Sequence, residues 1–215
     1  AVTGVDEVLA LELLTSRLHR TATLYVPFKP GQGRQVFNDT AIPRYLKAIS
    51  DPWDGRLERA VHLVKLLRER FPHITIKDFS PVMEEMRLVK SKSEIELLRH
   101  AGYLTAVGVR EAMRSTRPGV MEYQFDAVMR YHFISGGARD NGYIAICSSG
   151  DNIAHAHYCA NRHELTDGDW VLCDCAPDYR YYTSDIGRMW PVNGTYSPAQ
   201  RALYGYVVEY HKVLL

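Results

Sequence analysis

Two short runs with period-two patterning, Trp170 to Ala176 and Tyr181 to Trp190, stand so close in the chain that only a tight antiparallel hairpin can join them. With the turn on Tyr179-Arg180, Asp174 falls directly opposite Asp185. Directly opposed residues share one face of a sheet with Cβ atoms about 4.5–5.5 Å apart, so like charges there repel. Alternation turns Cys173 and Cys175 to the other face and leaves Leu172 and Ala176 beside Asp174. A charge in that apolar setting is costly unless something compensates it. A shared proton, a nearby arginine, or a hard cation held by both carboxylates would do so. Acids that sit in the turn and face solvent would need no partner.

The remaining elements place this hairpin in an α/β (α+β) chain of two regions joined near residues 80 to 90. The first region reads as an apolar stretch at Val8 to Leu14, a strand at Thr23 to Val26 and a turn at Gly31-Gln32-Gly33. A helix follows with Leu57, Val61, Val64, Leu67 and Phe71 on one stripe, ended by Pro72, and then a strand at Ile74 to Ile76. The second region opens on a capping box, Ser91 with Glu94, before a long helix whose stripe is Ile95, Leu98, Gly102, Ala106, Val109 and Met113. Pro118-Gly119 ends that helix. Phe125, Val128, Met129, His132 and Phe133 mark the next one, closed by Gly136-Gly137. Strands are expected at Tyr143 to Cys147 and Ile153 to Tyr158, ahead of the hairpin. A second capping box, Ser197 with Gln200, opens a last helix with Leu203, Val207, Tyr210 and Leu214 on its apolar side.

Composition removes several classes of function. Lys plus Arg is 26 against 25 for Asp plus Glu, so no polyanionic partner such as nucleic acid is indicated. No apolar run approaches the roughly 20 residues of a bilayer helix, and the opening residues lack the basic start of a secretory signal, so no membrane association is expected. Cys147, Cys159, Cys173 and Cys175 could form two bridges, but they read as free thiols of a reducing compartment, and a cytoplasmic location follows as the expectation. His155 and His157, two apart on an expected strand, could form a zinc pair, though a strand histidine is more often structural.

At these residues the chain resembles the creatinase and Xaa-Pro aminopeptidase branch of the pita-bread metallopeptidases, family M24. RLVKSKSEIELLRHAG resembles the opening helix of that catalytic domain and RPGVMEYQF the start of its second helix. SSGDNIAHAHY resembles the stretch ending in the family's active-site histidine. LTDGDWVLCDCAPDYRYYTSDIGRMWPVNGTYSPAQRALY resembles its first metal-binding hairpin. The resemblance implies that residues 1–84 are the later part of a creatinase-like amino-terminal domain. Residues 85–215 would be the first half of a pita-bread catalytic domain, truncated before its second half.

Carried over, the family pattern makes Asp174 a ligand of one metal, Asp185 a carboxylate bridging two, and His157 a histidine that contacts substrate beside them. His155 becomes an ordinary strand neighbour. The implied reaction is hydrolysis of the peptide bond before proline, in an Xaa-Pro aminopeptidase or dipeptidase, through a water bridging two divalent ions. Carboxylate ligands suit manganese, with cobalt and zinc as alternatives. The implied partners are short peptides with proline in second position and, as is common in the family, further copies of the chain. Ala176-Pro177 and Gly187 depart from the family pattern, which has Gly and Thr there, and both could alter the hairpin's path. A histidine and two glutamates that complete the family's site are absent, so the 215 residues alone are expected to be inactive. The competing readings are a metal-free relative of the same fold, either a creatinase-type hydrolase or a peptide- or histone-binding module, and a plain α/β interaction domain with coincidental acids. Metal-free members have no use for the aspartates.

Overall fold

A computed structural model describes residues 14–29 and 38–214. Of the expected apolar stretch only Leu14 is among them, and the turn at Gly31 lies outside them. The chain divides into two compact units, Ala1–Val89 and Lys90–Leu215.

In the first unit, helix α1 (Leu14–Leu18), strand β1 (Thr23–Val26), helices α2 (Asn38–Ser50) and α3 (Arg59–Arg70), strand β2 (Thr75–Asp78) and helix α4 (Ser80–Leu88) follow in order. β1 and β2 pair in parallel, Thr23 opposite Thr75. Val64, Leu67 and Phe71 from the expected α3 stripe are buried with Leu18, Val26 and Ile74. Leu57 is outside this core, because Glu58 caps the helix after it by accepting the Ala60 N–H.

The second unit begins with helix α5 (Lys92–Ser115). Its capping box is complete: the Ser91 hydroxyl accepts the Glu94 N–H at 3.3 Å, and the Ser91 N–H donates to Glu94 Oε2 at 2.6 Å. The buried face of α5 differs from the expected stripe. It consists of Ala101, Leu104, Thr105, Gly108, Val109 and Ala112, while Ile95, Ala106 and Met113 are exposed. Helix α6 (Glu122–Ser135) packs here, and close approach selects small side chains over large apolar ones. A Cβ on Gly108 would stand 2.6 Å from the Phe133 ring. Phe125, Met129 and Phe133 of α6 are buried as expected, and Gly137, in the left-handed region at φ 92, ends the helix.

Strands β4 (Ile146–Ser149), β5 (Trp170–Cys175) and β7 (Ile186–Pro191) form an antiparallel sheet in the order β4-β5-β7. The short strands β3 (Asp140–Asn141) and β6 (Pro177–Asp178) pair beside it. The departures from the family pattern at 176, 177 and 187 leave the hairpin regular. β5 ends at Cys175 and the chain takes a second partner from Pro177, while Gly187 lies in the ladder opposite Asp174.

The strand expected from Tyr143 begins only at Ile146, and two further expectations about this sheet need correction. No strand forms over Ile153 to Tyr158: a 3-10 turn spans Gly150–Ala154, and His157 at φ 56 is incompatible with extended backbone. The second concerns the hairpin register, in which Asp174 faces Gly187 and not Asp185. The turn residues are Arg180 and Tyr181, at φ 52 and 70, and Tyr179 and Tyr182 exchange N–H to O bonds of 2.9 and 3.0 Å across them. Such a two-residue turn matches the twist of the flanking strands. Asp178 holds it by accepting the Tyr181 N–H at 3.0 Å, while Arg139 pairs with Asp178 and lies over the Tyr181 ring at 4.7 Å. These tertiary contacts place the turn one residue later than spacing alone suggests. The pairing therefore slips by two positions, which preserves the face of every side chain.

Helix α7 (Pro198–Leu214) carries the second capping box, Ser197 with Gln200. Its start is held by a ring cluster of Trp170, Tyr196 and Tyr204. Its expected apolar side is open: Leu203, Val207, Tyr210 and Leu214 are 61, 48, 67 and 64% exposed.

All four cysteines are free. Cys147, Cys173 and Cys175 are buried, the latter two with sulfurs 3.2 and 3.1 Å from that of Met129, and burial pushes the Cys147 thiol up to about 11. Cys159 is exposed. A disulfide-exchange reagent at neutral pH should therefore modify one thiol of the native chain promptly and all four after denaturation. Prompt native reaction of more than one would contradict this packing.

Candidate metal centre

Helices α5 and α6 and the aspartates occupy opposite faces of the sheet. Val171, Cys173 and Cys175 of β5 point into the core with α5 and α6, so alternation turns Asp174 and Leu172 to the other side. Asp185, just before β7, is the diagonal neighbour of Asp174 on that same side. The slipped register thus keeps the two acids together.

What joins them is Tyr143, a residue read from sequence only as the start of a strand. Its hydroxyl donates to Asp174 Oδ1 at 2.5 Å and lies 3.4 Å from Asp185 Oδ1. Desolvation, then the hydrogen bond and charge of Asp174, push this phenol far above its ordinary value. It stays protonated and acts as the donor between two acceptors. Nothing in the spacing of Tyr143 signals this, because the contact forms only when the chain before β4 folds over β5.

Asp174 is half-buried and Asp185 exposed. Two carboxylates around one hydroxyl supply up to four hard oxygen donors on a surface open to solvent, a set suited to part of a divalent-cation site. His155 and His157 are exposed on the segment after the 3-10 turn, off any strand, so the zinc-pair geometry is absent. No group of three or more His, Cys, Asp or Glu able to hold a metal occurs among the described residues. The structure therefore brings the two aspartates together, while His157 lies exposed on the segment after the 3-10 turn.

A layer of two helices, α5 and α6, on one face of an antiparallel sheet, with two aspartates close together on the other, has the fold of the pita-bread metallopeptidases. The chain belongs to metallopeptidase family M24, whose profile matches residues 96–215. It is 34% identical over 206 residues to the Xaa-Pro aminopeptidase of Escherichia coli, covering 96% of this chain and 44% of that protein. It is 31% identical over 140 residues to the human Xaa-Pro dipeptidase, covering 63% of this chain and 28% of that one. The structure superposes on zinc-substituted E. coli aminopeptidase P in complex with product with a TM-score of 0.70, at 33% identity, covering 96% of this chain and 44% of that one. The chain thus spans less than half the length of these relatives.

Hydrogen-bond donors to metal-binding carboxylates orient them, and their loss typically costs about 10–100-fold in metal affinity. If the two aspartates hold a divalent ion, Tyr143→Phe is expected to leave the fold intact and weaken its binding by about tenfold. Calorimetric titration with manganese, beside a circular dichroism spectrum, checks both parts.

Proposed function

We propose that this chain forms part of an Xaa-Pro exopeptidase, aminopeptidase or dipeptidase, that hydrolyses the peptide bond before a proline in second position. The observation that carries this reading is the pair Asp174 and Asp185 around the Tyr143 hydroxyl. The names of the relatives, Xaa-Pro aminopeptidase and Xaa-Pro dipeptidase, support the substrate class.

Asp174 and Asp185 would hold two divalent ions, with manganese favoured by the all-oxygen donors and cobalt or zinc as alternatives. Bound there, the ions would polarise the scissile carbonyl and lower the pKa of a water. Tyr143 keeps the Asp174 carboxylate oriented toward the open face. His157 would donate a hydrogen bond to the carbonyl oxygen where negative charge develops, an interaction stronger in the transition state than in the substrate. The family's remaining ligands, a histidine and two glutamates, would come from a second half beyond these residues. The open apolar side of α7 supports that reading, since further chain packed there would cover it. On this reading the 215 residues alone turn over no peptide.

The test uses a protein carrying both halves of the catalytic domain. Release of the first residue from an Xaa-Pro peptide should require a divalent ion and stop on chelation, returning with manganese. Hydrolysis that survives chelation would favour a metal-free hydrolase instead. Turnover by the 215-residue chain alone would contradict the shared-site reading.

A further inference from the structure

Glu122, the first residue of α6, has a fully buried side chain at 0% exposure. A carboxylate removed from water is costly unless donors surround it. Here the donors come from one stretch of chain. Oε1 accepts the Ser149 N–H at 2.7 Å, the Ser149 hydroxyl at 2.9 Å and the Asn152 side-chain amide at 3.3 Å. Oε2 accepts the His163 N–H at 3.0 Å. The Glu122 N–H in turn donates to the His163 carbonyl at 3.0 Å. Tyr158 also meets this carboxylate, and desolvation, with Glu122 adding to it, raises its phenol.

These contacts bracket His157 on both sides in sequence. A second tie lies at the base of the same loop, where Asn161 Oδ1 accepts the Cys147 N–H at 3.1 Å and Asn161 Nδ2 donates to the Ala145 carbonyl at 2.9 Å. His157 and Asn161 both adopt left-handed backbone, φ 56 and 47. Non-glycine residues persist there only where their surroundings over-determine them.

We propose that Glu122 is the positioning residue for His157, its carboxylate gathering the 149–163 segment so that the exposed imidazole is held in one place. The inference rests on the proposed role of His157 at the scissile carbonyl. A displacement of about 1 Å in such a group can cost ~100-fold in rate, so a remote clamp is enough to control it.

Glu122→Gln keeps the shape of the side chain and one acceptor, but presents an amide donor to a site filled with donors. Amide hydrogen exchange of the chain should quicken roughly tenfold across residues 150–162, the effect of losing a hydrogen bond to a charged group, with β5 and β7 unchanged. The His157 imidazole resonances should move while those of His132 stay. In the protein carrying both halves, kcat should fall about tenfold or more with KM unchanged, and Glu122→Ala should lose more than Glu122→Gln. Exchange that quickens equally in β5 and β7 would mean that Glu122 only stabilises the unit, and would overturn the proposal. So would unchanged exchange in 150–162 with unmoved His157 resonances. Should Glu122→Gln fail to fold, Asn152→Ala removes a single donor and is read the same way. If the unaltered two-half protein hydrolyses no Xaa-Pro peptide, the functional reading falls, while exchange and resonances still decide the clamp.

Discussion

Asp185→Asn is expected to raise the thermal stability of the metal-free chain slightly, and to lower peptide hydrolysis by the two-half protein at least ~100-fold, because bound metal supplies several kcal/mol of charge stabilisation. The two effects have opposite signs for one reason. The Tyr143 hydroxyl has a single proton, and its short bond goes to Asp174, 2.5 Å against 3.4 Å for Asp185. Asp185 is thus the less compensated of two like charges on one face. Asparagine removes the charge and keeps the shape, which relieves a repulsion that solvent only partly screens. On the proposed metal-site reading a divalent ion would relieve the same repulsion by binding, and at a hundredfold excess over its Kd would stabilise the protein by about 2.7 kcal/mol. The variant should lose that gain. Thermal unfolding with and without manganese, in the unaltered protein and in Asp185→Asn, measures both. A metal-free variant less stable than the unaltered chain would mark Asp185 as a structural residue.

The largest loss of stability is expected at the other face of the sheet, from Phe133→Ala. Phe133 is 1% exposed and packs where α5 offers Gly108. Removing a buried phenyl ring costs about 3–5 kcal/mol, because the transfer energy is lost and the cavity collapses only in part. For a unit of this size that is a large fraction of its whole stability, typically about 5–15 kcal/mol. Gly108→Ala should also destabilise, by about 1–3 kcal/mol, since its methyl would overlap the ring. Combined, the two should cost less than their sum, because the smaller residue at 133 vacates the space that the methyl needs. Urea unfolding of the two single variants and the double variant gives the coupling. Simple additivity would mean that Gly108 and Phe133 do not meet.

Much of this architecture is legible in the sequence. Ser91-Glu94 and Ser197-Gln200 specify helix starts locally, since the bonds that satisfy the first free N–H groups come from residues three apart. With a two-residue turn, the spacing of Asp174 and Asp185 puts them on one face, because a register that differs by an even number keeps the parity of every side chain. Even a register displaced by two residues could not separate them. The face of α5 was a different matter. Hydrophobicity favours Ile95 and Met113, while the helix packed against it requires Ala101, Thr105, Gly108 and Ala112, and that partner is remote in sequence.

The sequence by itself thus determined the capped helices, the hairpin and the acid pair that one face of it must carry, all set by interactions between near neighbours. The tertiary structure decided the rest. It set the turn at Arg180-Tyr181 through Arg139 and Asp178, brought Tyr143 between the aspartates, and tied both ends of the His157 loop to Glu122. Each of these joins residues some 27 to 42 positions apart. No local pattern encodes such contacts, because which polar groups meet is settled only when the helices pack on the sheet.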